Sequence, residues 1–491
     1  MRVNKYSILS VIKMDAISTY LTRYSKDSYI LSCCGYNDIL KNLVKLKYSH
    51  LYAVSTDKNI YNSPFYTYVK YLYGDPYNSH FPDSFFDIIY SIYKVDIPAF
   101  LREARRILSN NGVLVMKSDE VDTGQLKGYG FSIEDKFHGG FLSLRLTKKE
   151  GRIPKRINIV VPTLGKFEGI AHTTNNMKRN LEKHGIAVNL YEKAEDAPKN
   201  YPTIFEWHPA LGHPIPKDKN IIIELHHFEL GDQLFSMFKK IIRHRSYFAY
   251  YALLNYKNII AGLRTNFINY MNKKGLKGGK IMREELQRHP LLVRSNELAE
   301  VAGLTKYYLM PHCIVDGPKV KPAPLHSELC IGSYGFAAPY KNFEAICEVA
   351  LRLNVKALLL LSVNHLDKRA KEDTNNYANY IYKKYNGKGK ITVKIGNFSE
   401  EELRSQLAPC THLLAPQFNE NNVSSSMRFM VSLNKPVIAI DSYQAREAQV
   451  IRVKSLKQIT KEFLNRTRSM LTNIDDGTRY VIKVLQSLNK G

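Results

Sequence analysis

The sequence lacks any hydrophobic run long enough to span a bilayer, since no stretch reaches the ~18 apolar residues that a membrane helix needs. Its first residues, MRVNKYSILSVIKMDAIS, lack a long apolar core followed by a small-residue cleavage site, so we expect no signal peptide. The six cysteines form no C-x-x-C pair and no metal-like spacing, and no persuasive D-x-D sequence occurs. We therefore expect no metal site, and reduced, mostly buried cysteines in a cytoplasmic protein.

Acidic residues are also scarce. Asp and Glu number 45 against 71 Lys and Arg, which leaves a formal net charge of +26. Such a charge predicts an anionic partner: nucleic acid, a membrane surface or a phosphorylated substrate. No zinc finger, RNA-recognition signature or basic zipper accompanies the charge, so nucleic acid is the less favoured partner.

The shortage of acid is complete between residues 233 and 283, where many Lys and Arg are interleaved with Tyr and Phe. A basic and aromatic helical segment suits an interface with anionic lipid. It equally suits single-stranded nucleic acid, and an exposed basic helical face explains it without any partner. Among these readings we favour docking on an anionic membrane surface, which predicts a cytoplasmic protein that is peripheral on the inner membrane face.

Short apolar runs alternate with amphipathic stretches through most of the chain, a pattern typical of βαβ units and parallel sheets. The charged stretch LTKKEGRIPKR and the Pro-rich stretch DGPKVKPAPLHS divide the chain into three blocks. The predicted fold class is α/β, with three Rossmann-like parallel-sheet domains. We place the domains at 1–149, 155–316 and 325–460, with C-terminal helices at 461–491 packing back on the last two domains.

In the third block, two helix starts are suited to phosphate. The stretch IGSYGFAAPYKNF places Lys341 where a loop enters a helix, and Asn342 is the expected N-cap. Taken alone, such a lysine is typical of an ordinary surface turn. The stretch FNENNVSSSMRFMVSLNKPVIAID then begins a second helix at Ser424, Ser425 and Ser426, whose N–H groups and helix dipole favour an anion. Two such starts in one domain favour a diphosphate site.

The order of these stretches resembles the GT-B glycosyltransferases, and especially the large retaining family 4. The resemblance covers about 155–491, where IGSYGFAAPYKNF, IGNFSEEELRSQLAPCTHLLAPQ and the serine-rich helix start match the family in order and spacing. It implies that the second and third domains form a GT-B pair that binds a UDP- or GDP-sugar and needs no metal or other cofactor. The acceptor, whether glycan, lipid or protein, is not specified.

The resemblance also assigns roles to residues near this site. The family carries E-x7-E, one Glu near the transferred sugar and one on the ribose. Aligned on Pro436, these positions fall on Asn421 and Phe429, with Glu420 one residue from the first. The predicted residues of the catalytic and donor site in this block, besides Lys341 and the three serines, are Glu420, Asn421, Asn397, Phe398 and Arg428.

The second block would complete the cleft. Gly169, in the loop after INIVVPT, resembles the family's glycine that backs onto the donor diphosphate, and His172 opens the next helix. The strand NIIIEL ends at His226 and His227, and His226 matches the family histidine near the transferred sugar. A histidine at a strand end is also common as a purely structural polar residue. The predicted catalytic residues are therefore His226 and Glu420.

The first block resembles a class I S-adenosylmethionine methyltransferase, through GDPYNSHFPDSFFDIIYSIYKVDIPAFLREARRILSNNGVLVMKS and a closing strand pair. Its first loop, LSCCGYND, keeps only Gly35 of the usual glycines, and bulky neighbours obstruct a close approach of the cofactor. Asp57 and Asp75 are the candidates for the ribose and the region of the adenine. We interpret this block as a methyltransferase fold with degenerate chemistry.

The main hypothesis is a glycosyltransferase with an N-terminal methyltransferase-like domain. One alternative makes methyl transfer the main activity, with S-adenosylmethionine as cofactor and the GT-B pair as an accessory module. A second alternative is a scaffold that has lost both chemistries.

Overall fold

The computed structural model divides by internal contacts into two compact units. The first unit comprises 1–155, 308–313 and 472–491, and the second comprises 156–307 and 314–471. The structure describes residues 16–35, 37–57, 59–60, 68–93, 95–117, 121–137, 140–162, 169–207, 214–218, 221–225, 283–293, 296, 299–300, 303–310, 327–363, 368–417, 425–442, 445–446, 448, 450–467 and 477–488.

The first unit contains a seven-stranded sheet in the order β3-β2-β1-β4-β5-β7-β6. Strands β1 to β5 are parallel, whereas β7 runs antiparallel to both β5 and β6. Its elements are β1 Tyr29–Ser32, α1 Asp38–Lys45, β2 His50–Ser55, β3 Val69–Tyr73, β4 Phe86–Tyr90, α2 Ile97–Ile107, β5 Leu108–Lys117, α3 Thr123–Gly128, β6 Phe131–Phe137 and β7 Phe141–Leu146.

In the second unit, five strands of one sheet follow the order β12-β11-β10-β8-β9, and each neighbouring pair among them is parallel. Helix α4 ends just before Gly185, whose φ of +78° is the left-handed conformation expected from the sequence. The elements are β8 Arg156–Val160, α4 Gly169–Lys183, β9 Ala187–Tyr191, β10 Thr203–Trp207, β11 Ile221–Leu225 and β12 Leu291–Val293. The short strand β13, Tyr308–Leu309, belongs by its contacts to the first unit.

The other sheet of the second unit is parallel throughout, in the order β16-β15-β14-β17-β18-β19. Its elements are β14 Cys330–Phe336, α5 Phe343–Leu353, β15 Lys356–Ser362, α6 Lys368–Tyr385, β16 Ile391–Ile395, α7 Glu400–Leu407, β17 His412–Ala415, α8 Ser425–Ser432, β18 Val437–Ile440, β19 Ile451–Val453 and α9 Lys461–Thr467. Asn434 ends α8 with a φ of +57°, which confirms the prediction that Asn takes the left-handed position there.

Apolar side chains buried on both faces stabilise this third sheet. Leu359 and Leu361 pack into one apolar cluster, whereas Leu360, between them, packs into another on the opposite face. Successive residues of a strand point to opposite faces, so the run ALLLLS supplies both cores, as is typical of a parallel sheet covered by helices. The prediction of three sheets dominated by parallel strands is confirmed.

The last helix, α10 Gly477–Leu488, differs from the sequence expectation, which placed 461–491 against the second and third domains. It belongs instead to the first unit. Arg479 donates to the carbonyl of Phe85 at 2.6 Å and to Asp87 at 3.0 Å, and its guanidinium lies 3.7 Å from the ring centroid of Tyr29. Tyr480 is buried against Phe85. The helix has an apolar face that fits the first sheet, and helical periodicity alone does not say which core such a face will join.

Candidate functional site

The strand order of the third sheet predicts where a ligand binds. The order reverses at β14 and β17, its first and fourth strands, and ligands of open α/β sheets bind beyond the carboxyl ends of the strands at such a point. Strand β14 ends at Phe336 and β17 at Ala415. Lys341 follows the first of these ends and Gln417 the second. The topology therefore brings the predicted lysine to the ligand-binding edge.

Lys341 lies at the centre of this edge. A turn of 3-10 helix, Pro339–Lys341, carries it out of the strand. Its Nζ donates to Gln417 Oε1 at 2.8 Å and to Ser426 Oγ at 2.9 Å. Asn342, the expected N-cap of α5, does take the cap position, but in a left-handed conformation with a φ of +56° and without a side-chain cap hydrogen bond.

The lysine is buried, with 8% of its surface exposed. Burial lowers its pKa from the usual 10.5 to about 7, because removal from water penalises the ammonium ion. Gln417 and Ser426 are also buried and offer neutral oxygens. The pKa of Tyr340, whose ring centroid lies 5.3 Å from the lysine Nζ, is raised to about 12 by burial. A buried cation with a strongly shifted pKa at a ligand-binding edge is a functional-site signature.

The first turn of α8 faces the same point. Ser426 is buried there, and its hydroxyl accepts from Lys341. Gly335, near the end of β14, has a φ of +155°, and a Cβ on it would lie 3.5 Å from Ser426 Oγ and 3.6 Å from Lys341 Cε. A side chain here would be strained by its backbone, and its Cβ would be in van der Waals contact with both groups. A helix N-terminus, a lysine and a glycine thus share one small volume, which suits an anion such as a diphosphate.

The position aligned with the family's second carboxylate belongs to the core. Phe429 is 2% exposed, its ring packs edge-on against Tyr334 at 5.5 Å, and the guanidinium of Arg404 lies 5.3 Å from its centroid. Arg428 is buried as well. Because Phe429 has no polar atom and is covered by other side chains, it cannot replace a carboxylate that binds ribose.

The other predicted donor residues are described unevenly. Asn397 is exposed and Phe398 half-buried in the loop between β16 and α7, where Phe398 packs near Gly396 and the second apolar cluster. Gly169 begins α4, and His172 and Ser425 lie in α4 and α8 with side chains outside the described part. Outside the described residues altogether lie His226, His227, Glu420, Asn421, Ser424 and all of the basic stretch except its last residue, Arg283.

Helix α4 also contacts the third sheet's helices. Arg179 Nη2 lies 3.2 Å from Glu400 Oε1 in the first turn of α7. Ser399 caps that turn through a capping box with Glu402. This ion pair therefore joins a helix of the second sheet to one of the third, beside the loop that carries Asn397 and Phe398.

The first sheet has a second topological switch point, between β1 and β4. Here the chain fills the edge with its own hydrogen bonds. Asn37 is buried, and its Nδ2 donates to Ser32 Oγ at 3.0 Å while its Oδ1 accepts from Leu40 N and from Tyr90 OH, each at 3.0 Å. Ser32 Oγ in turn donates to the carbonyl of Gly35 at 3.2 Å.

The thiol of Cys34 extends this network across to the end of β4. Its Sγ accepts from Ile92 N at 3.0 Å and lies 3.5 Å from Ser91 Oγ. Burial raises the pKa of both Cys33 and Cys34, so these thiols stay protonated and unreactive. Asn37 and Cys34 thus join the ends of β1 and β4 and the start of α1 through the protein's own hydrogen bonds.

The three predicted S-adenosylmethionine residues follow β1, β2 and β3. Gly35 takes a left-handed φ of +65°, which explains why a glycine is kept there. Asp57 is exposed and accepts from Asn59 N, while Asp75 is exposed and accepts from Tyr77 N. Both carboxylates thus organise local turns at the carboxyl edge of the sheet.

No group of three or more His, Cys, Asp or Glu side chains in the described part of the chain is placed to hold a metal ion. In the same part, no helix combines the length and apolarity required to traverse a membrane.

Comparison with known proteins identifies one family segment. Residues 32–116 match the family model described as a methyltransferase domain, which is the segment from the end of β1 to β5. This confirms the methyltransferase resemblance of the first block. No curated protein matches the sequence significantly.

Solved structures resemble separate parts of the chain at low identity. HepE of Anabaena, in complex with UDP and glucose, is 12% identical over 69% of this chain and 94% of its own, with a TM-score of 0.37. AviGT4, a glycosyltransferase of avilamycin A biosynthesis, is 12% identical over 69% of this chain and 99% of its own, with a TM-score of 0.42. A Sulfolobus solfataricus protein assigned as a type 11 methyltransferase is 19% identical over 25% of this chain and 86% of its own, with a TM-score of 0.21.

Proposed function

We propose that this protein is a glycosyltransferase that moves a sugar from a nucleotide-sugar to an acceptor. The observation that carries the proposal is the buried Lys341, held by Gln417 and Ser426 at the switch point of the third sheet. Removing a charged lysine from water raises the free energy of the folded protein. An anionic diphosphate bound beside Lys341 would offset that free energy.

The chemistry proposed is displacement at an anomeric carbon. As the bond to the sugar breaks, negative charge grows on the leaving diphosphate. Lys341 and the first turn of α8 would stabilise that charge, since preorganised donors in a site shielded from water act strongly there. Retention of configuration and independence of metal are part of the proposal and rest on the family 4 resemblance. His226 and Glu420 are the proposed groups at the reacting centre.

The first test is a thermal-shift screen of the full chain with UDP, GDP and S-adenosylmethionine. A nucleotide at a hundredfold excess over its dissociation constant should stabilise the protein by about 2.7 kcal/mol. We expect a shift with one nucleoside diphosphate that Lys341→Ala abolishes. Lys394→Ala, which changes an exposed lysine on β16, is the matched control and should keep the shift.

Other outcomes would redirect the proposal. No thermal shift with UDP or GDP would reject the site around Lys341. No thermal shift with any of the three ligands would favour a non-catalytic scaffold. A nucleotide shift that survives Lys341→Ala would place the binding site elsewhere.

A second candidate, methyl transfer, is favoured by the family match over residues 32–116. In that case Gly35, Asp57 and Asp75 would hold S-adenosylmethionine. A shift with S-adenosylmethionine alone, lost in Asp57→Ala, would move the function to the first domain. The side chains that fill the edge around Cys34 and Asn37 argue against it.

Docking on an anionic membrane surface through 233–283 is a separate proposal that rests on composition. The check is sedimentation with vesicles of phosphatidylserine and of phosphatidylcholine. Binding to the anionic vesicles alone, reversed by salt, is expected. Equal binding to both, or to neither, would reject it, and binding to single-stranded nucleic acid instead would favour the other reading of the charge.

A further inference from the structure

Two cysteines lie side by side in the third sheet, on a part of it that the proposed transferase does not use. Cys330 begins β14, and Cys410 lies just before β17. Their sulfur atoms are 3.7 Å apart although the residues are 80 positions apart in the chain. They lie near the amino ends of these strands, at the opposite edge of the sheet from Lys341.

The backbone around the pair is tied down from both sides. Thr411 N donates to the carbonyl of Cys330 at 2.8 Å, while Cys330 N donates to Thr411 Oγ1 at 3.1 Å. Lys435 Nζ donates to the carbonyl of Cys410 at 2.6 Å. The closeness of the two sulfurs is therefore built into the sheet and its neighbouring loop.

The side chain of Cys410 has little room to move away. A Cβ placed on Gly332 would lie 2.7 Å from Cys410 Sγ, so the sulfur packs directly on the backbone of β14. Cys410 is buried, whereas Cys330 is half-buried. The pair thus consists of one thiol that solvent can reach and one that is held behind it.

We propose that Cys330 and Cys410 form an oxidation site, in which a hydroperoxide converts the two thiols to an intramolecular disulfide. The proposal is independent of the glycosyltransferase function. Adjacent strands of a sheet bring residues close enough for a disulfide, and only a small adjustment of the side chains separates 3.7 Å from a sulfur–sulfur bond of about 2.05 Å.

The reaction has two balanced steps. The Cys330 thiolate attacks one oxygen of hydrogen peroxide, an S–O bond forms, the O–O bond breaks, and the leaving hydroxide takes up the thiol proton as water. Cys410 then attacks the resulting sulfenic sulfur, the S–S bond forms, and the hydroxyl leaves as water with the Cys410 proton. Two thiols are oxidised and one peroxide is reduced to two waters.

The half-buried position of Cys330, in front of the buried Cys410, favours Cys330 as the first thiol to react, and the electrostatics agree. The pKa of Cys330 is lowered by its hydrogen bond to Cys410, with further help from Lys356 and Lys435, whereas the pKa of Cys410 is raised by its hydrogen bond to Cys330 and by burial. Burial raises the pKa of Cys347 to about 12. Among the described cysteines, Cys330 is thus the one favoured as a thiolate, and the thiolate is the nucleophile.

The test treats the reduced full chain with hydrogen peroxide, alkylates the remaining thiols and maps tryptic peptides by mass spectrometry. The expected product joins peptide 320–341 to peptide 405–428 with the loss of two hydrogens. Cys347→Ser, at a buried cysteine of α5, should leave this product unchanged. Cys330→Ser should abolish it.

A second variant tests the order of attack. In Cys410→Ser, Cys330 cannot be resolved, so a dimedone adduct on Cys330 should accumulate. If wild-type protein loses free Cys330 to peroxide without forming the cross-linked peptide, or if Cys33 and Cys34 oxidise first, the proposal is wrong.

Discussion

The two switch points of the first and third sheets share a topology and differ in what fills them. In the third sheet, a buried lysine, a glutamine and a helix start meet at the edge. In the first sheet, Asn37 and Cys34 occupy the corresponding edge with hydrogen bonds to strand ends and helix α1. The same backbone arrangement thus holds a buried lysine in one domain and a network of neutral hydrogen-bonded side chains in the other.

The difference shows that strand order determines where a crevice can form at the edge of the sheet, whereas the side chains at that edge determine whether the crevice can bind a ligand. Burial lowers the pKa of Lys341 to about 7, so the fold disfavours its charged form, a property common among residues of binding sites. A network of neutral, satisfied groups such as that around Asn37 stabilises the fold without any ligand. Stability measurements on matched variants can therefore separate the two roles.

The largest expected effect concerns the completeness of the first domain. A chain ending at residue 471 lacks α10, whose Tyr480, Val481, Val484 and Leu485 are buried. Each such side chain contributes about 1.5–3 kcal/mol by burial, so we expect the first domain to lose its folded structure. The measurement is limited proteolysis, with cleavage concentrated before residue 155.

The control for this truncation is Gln486→Ala, which removes one hydrogen bond to the carbonyl of Gly151 and should leave the proteolytic pattern unchanged. The truncated chain should still show the nucleotide shift if the third sheet binds independently. A truncated chain that resists protease like the full chain would contradict this account of α10.

The second prediction is that Lys341→Met stabilises the unliganded protein at pH 6. The folded-state pKa of about 7 lies below the ordinary 10.5, so the folded protein bears the full cost of the buried charge below pH 7. Each pKa unit corresponds to about 1.4 kcal/mol, and the two lost hydrogen bonds offset part of the gain, leaving a net stabilisation of about 2 kcal/mol.

The sign of the pH dependence gives the check. Between pH 7 and 10 the unfolded lysine holds a proton that the folded one has lost, so wild-type stability rises with pH and the advantage of Lys341→Met shrinks. Urea unfolding at pH 6 and pH 9 measures both. Lys394→Met, at an exposed site, should leave the free energy of unfolding unchanged at both pH values. If Lys341→Met is less stable than wild type at pH 6, the charge of Lys341 is already compensated within the protein.

The third prediction addresses the edge of the first sheet. Asn37→Ala removes the cap of α1 and leaves Tyr90 without its acceptor, so we expect a loss of about 1.5–2 kcal/mol in the free energy of unfolding. Asp57→Asn, at an exposed turn, is the control and should change stability little. An Asn37→Ala protein as stable as wild type would mean that this network is not structural.

The smallest effect is in the pH dependence of nucleotide binding. If the bound diphosphate raises the pKa of Lys341, the affinity of the protein for the nucleotide should not change with pH below pH 7. Above pH 7 that affinity should fall by up to tenfold per pH unit. Calorimetry in two buffers of different ionisation enthalpy should then detect proton uptake at pH 8. Any uptake that persists in Lys341→Met comes from the nucleotide or from another group.

Much of this architecture follows from the sequence. Alternation of apolar runs and amphipathic stretches predicts the parallel sheets, and Asn434 and Gly185 mark helix ends by their conformational freedom. Lys341 and Ser426 were predicted as partners in one site, and the structure places them 2.9 Å apart. Local pattern is sufficient for such features because each depends on a few neighbouring residues.

Long-range features escaped the sequence. Gln417 was missed, although a polar residue two positions after the buried strand HLLA was the available signal. The strand Val69–Tyr73 also gives a weak signal in the sequence, because VKYLY is short and contains a lysine and two tyrosines. The membership of α10 in the first unit depends on which apolar surface its face meets, and a single sequence holds no direct record of that choice.

The route of the chain has a consequence for biosynthesis. The first unit combines residues 1–155 with residues 472–491, so the ribosome must translate the whole second unit before α10 can join its sheet. The two sheets of the second unit are finished earlier. During synthesis, then, the first unit is begun before the second and completed after it, and translation that stops before residue 477 would leave the second unit whole and the first unit without α10.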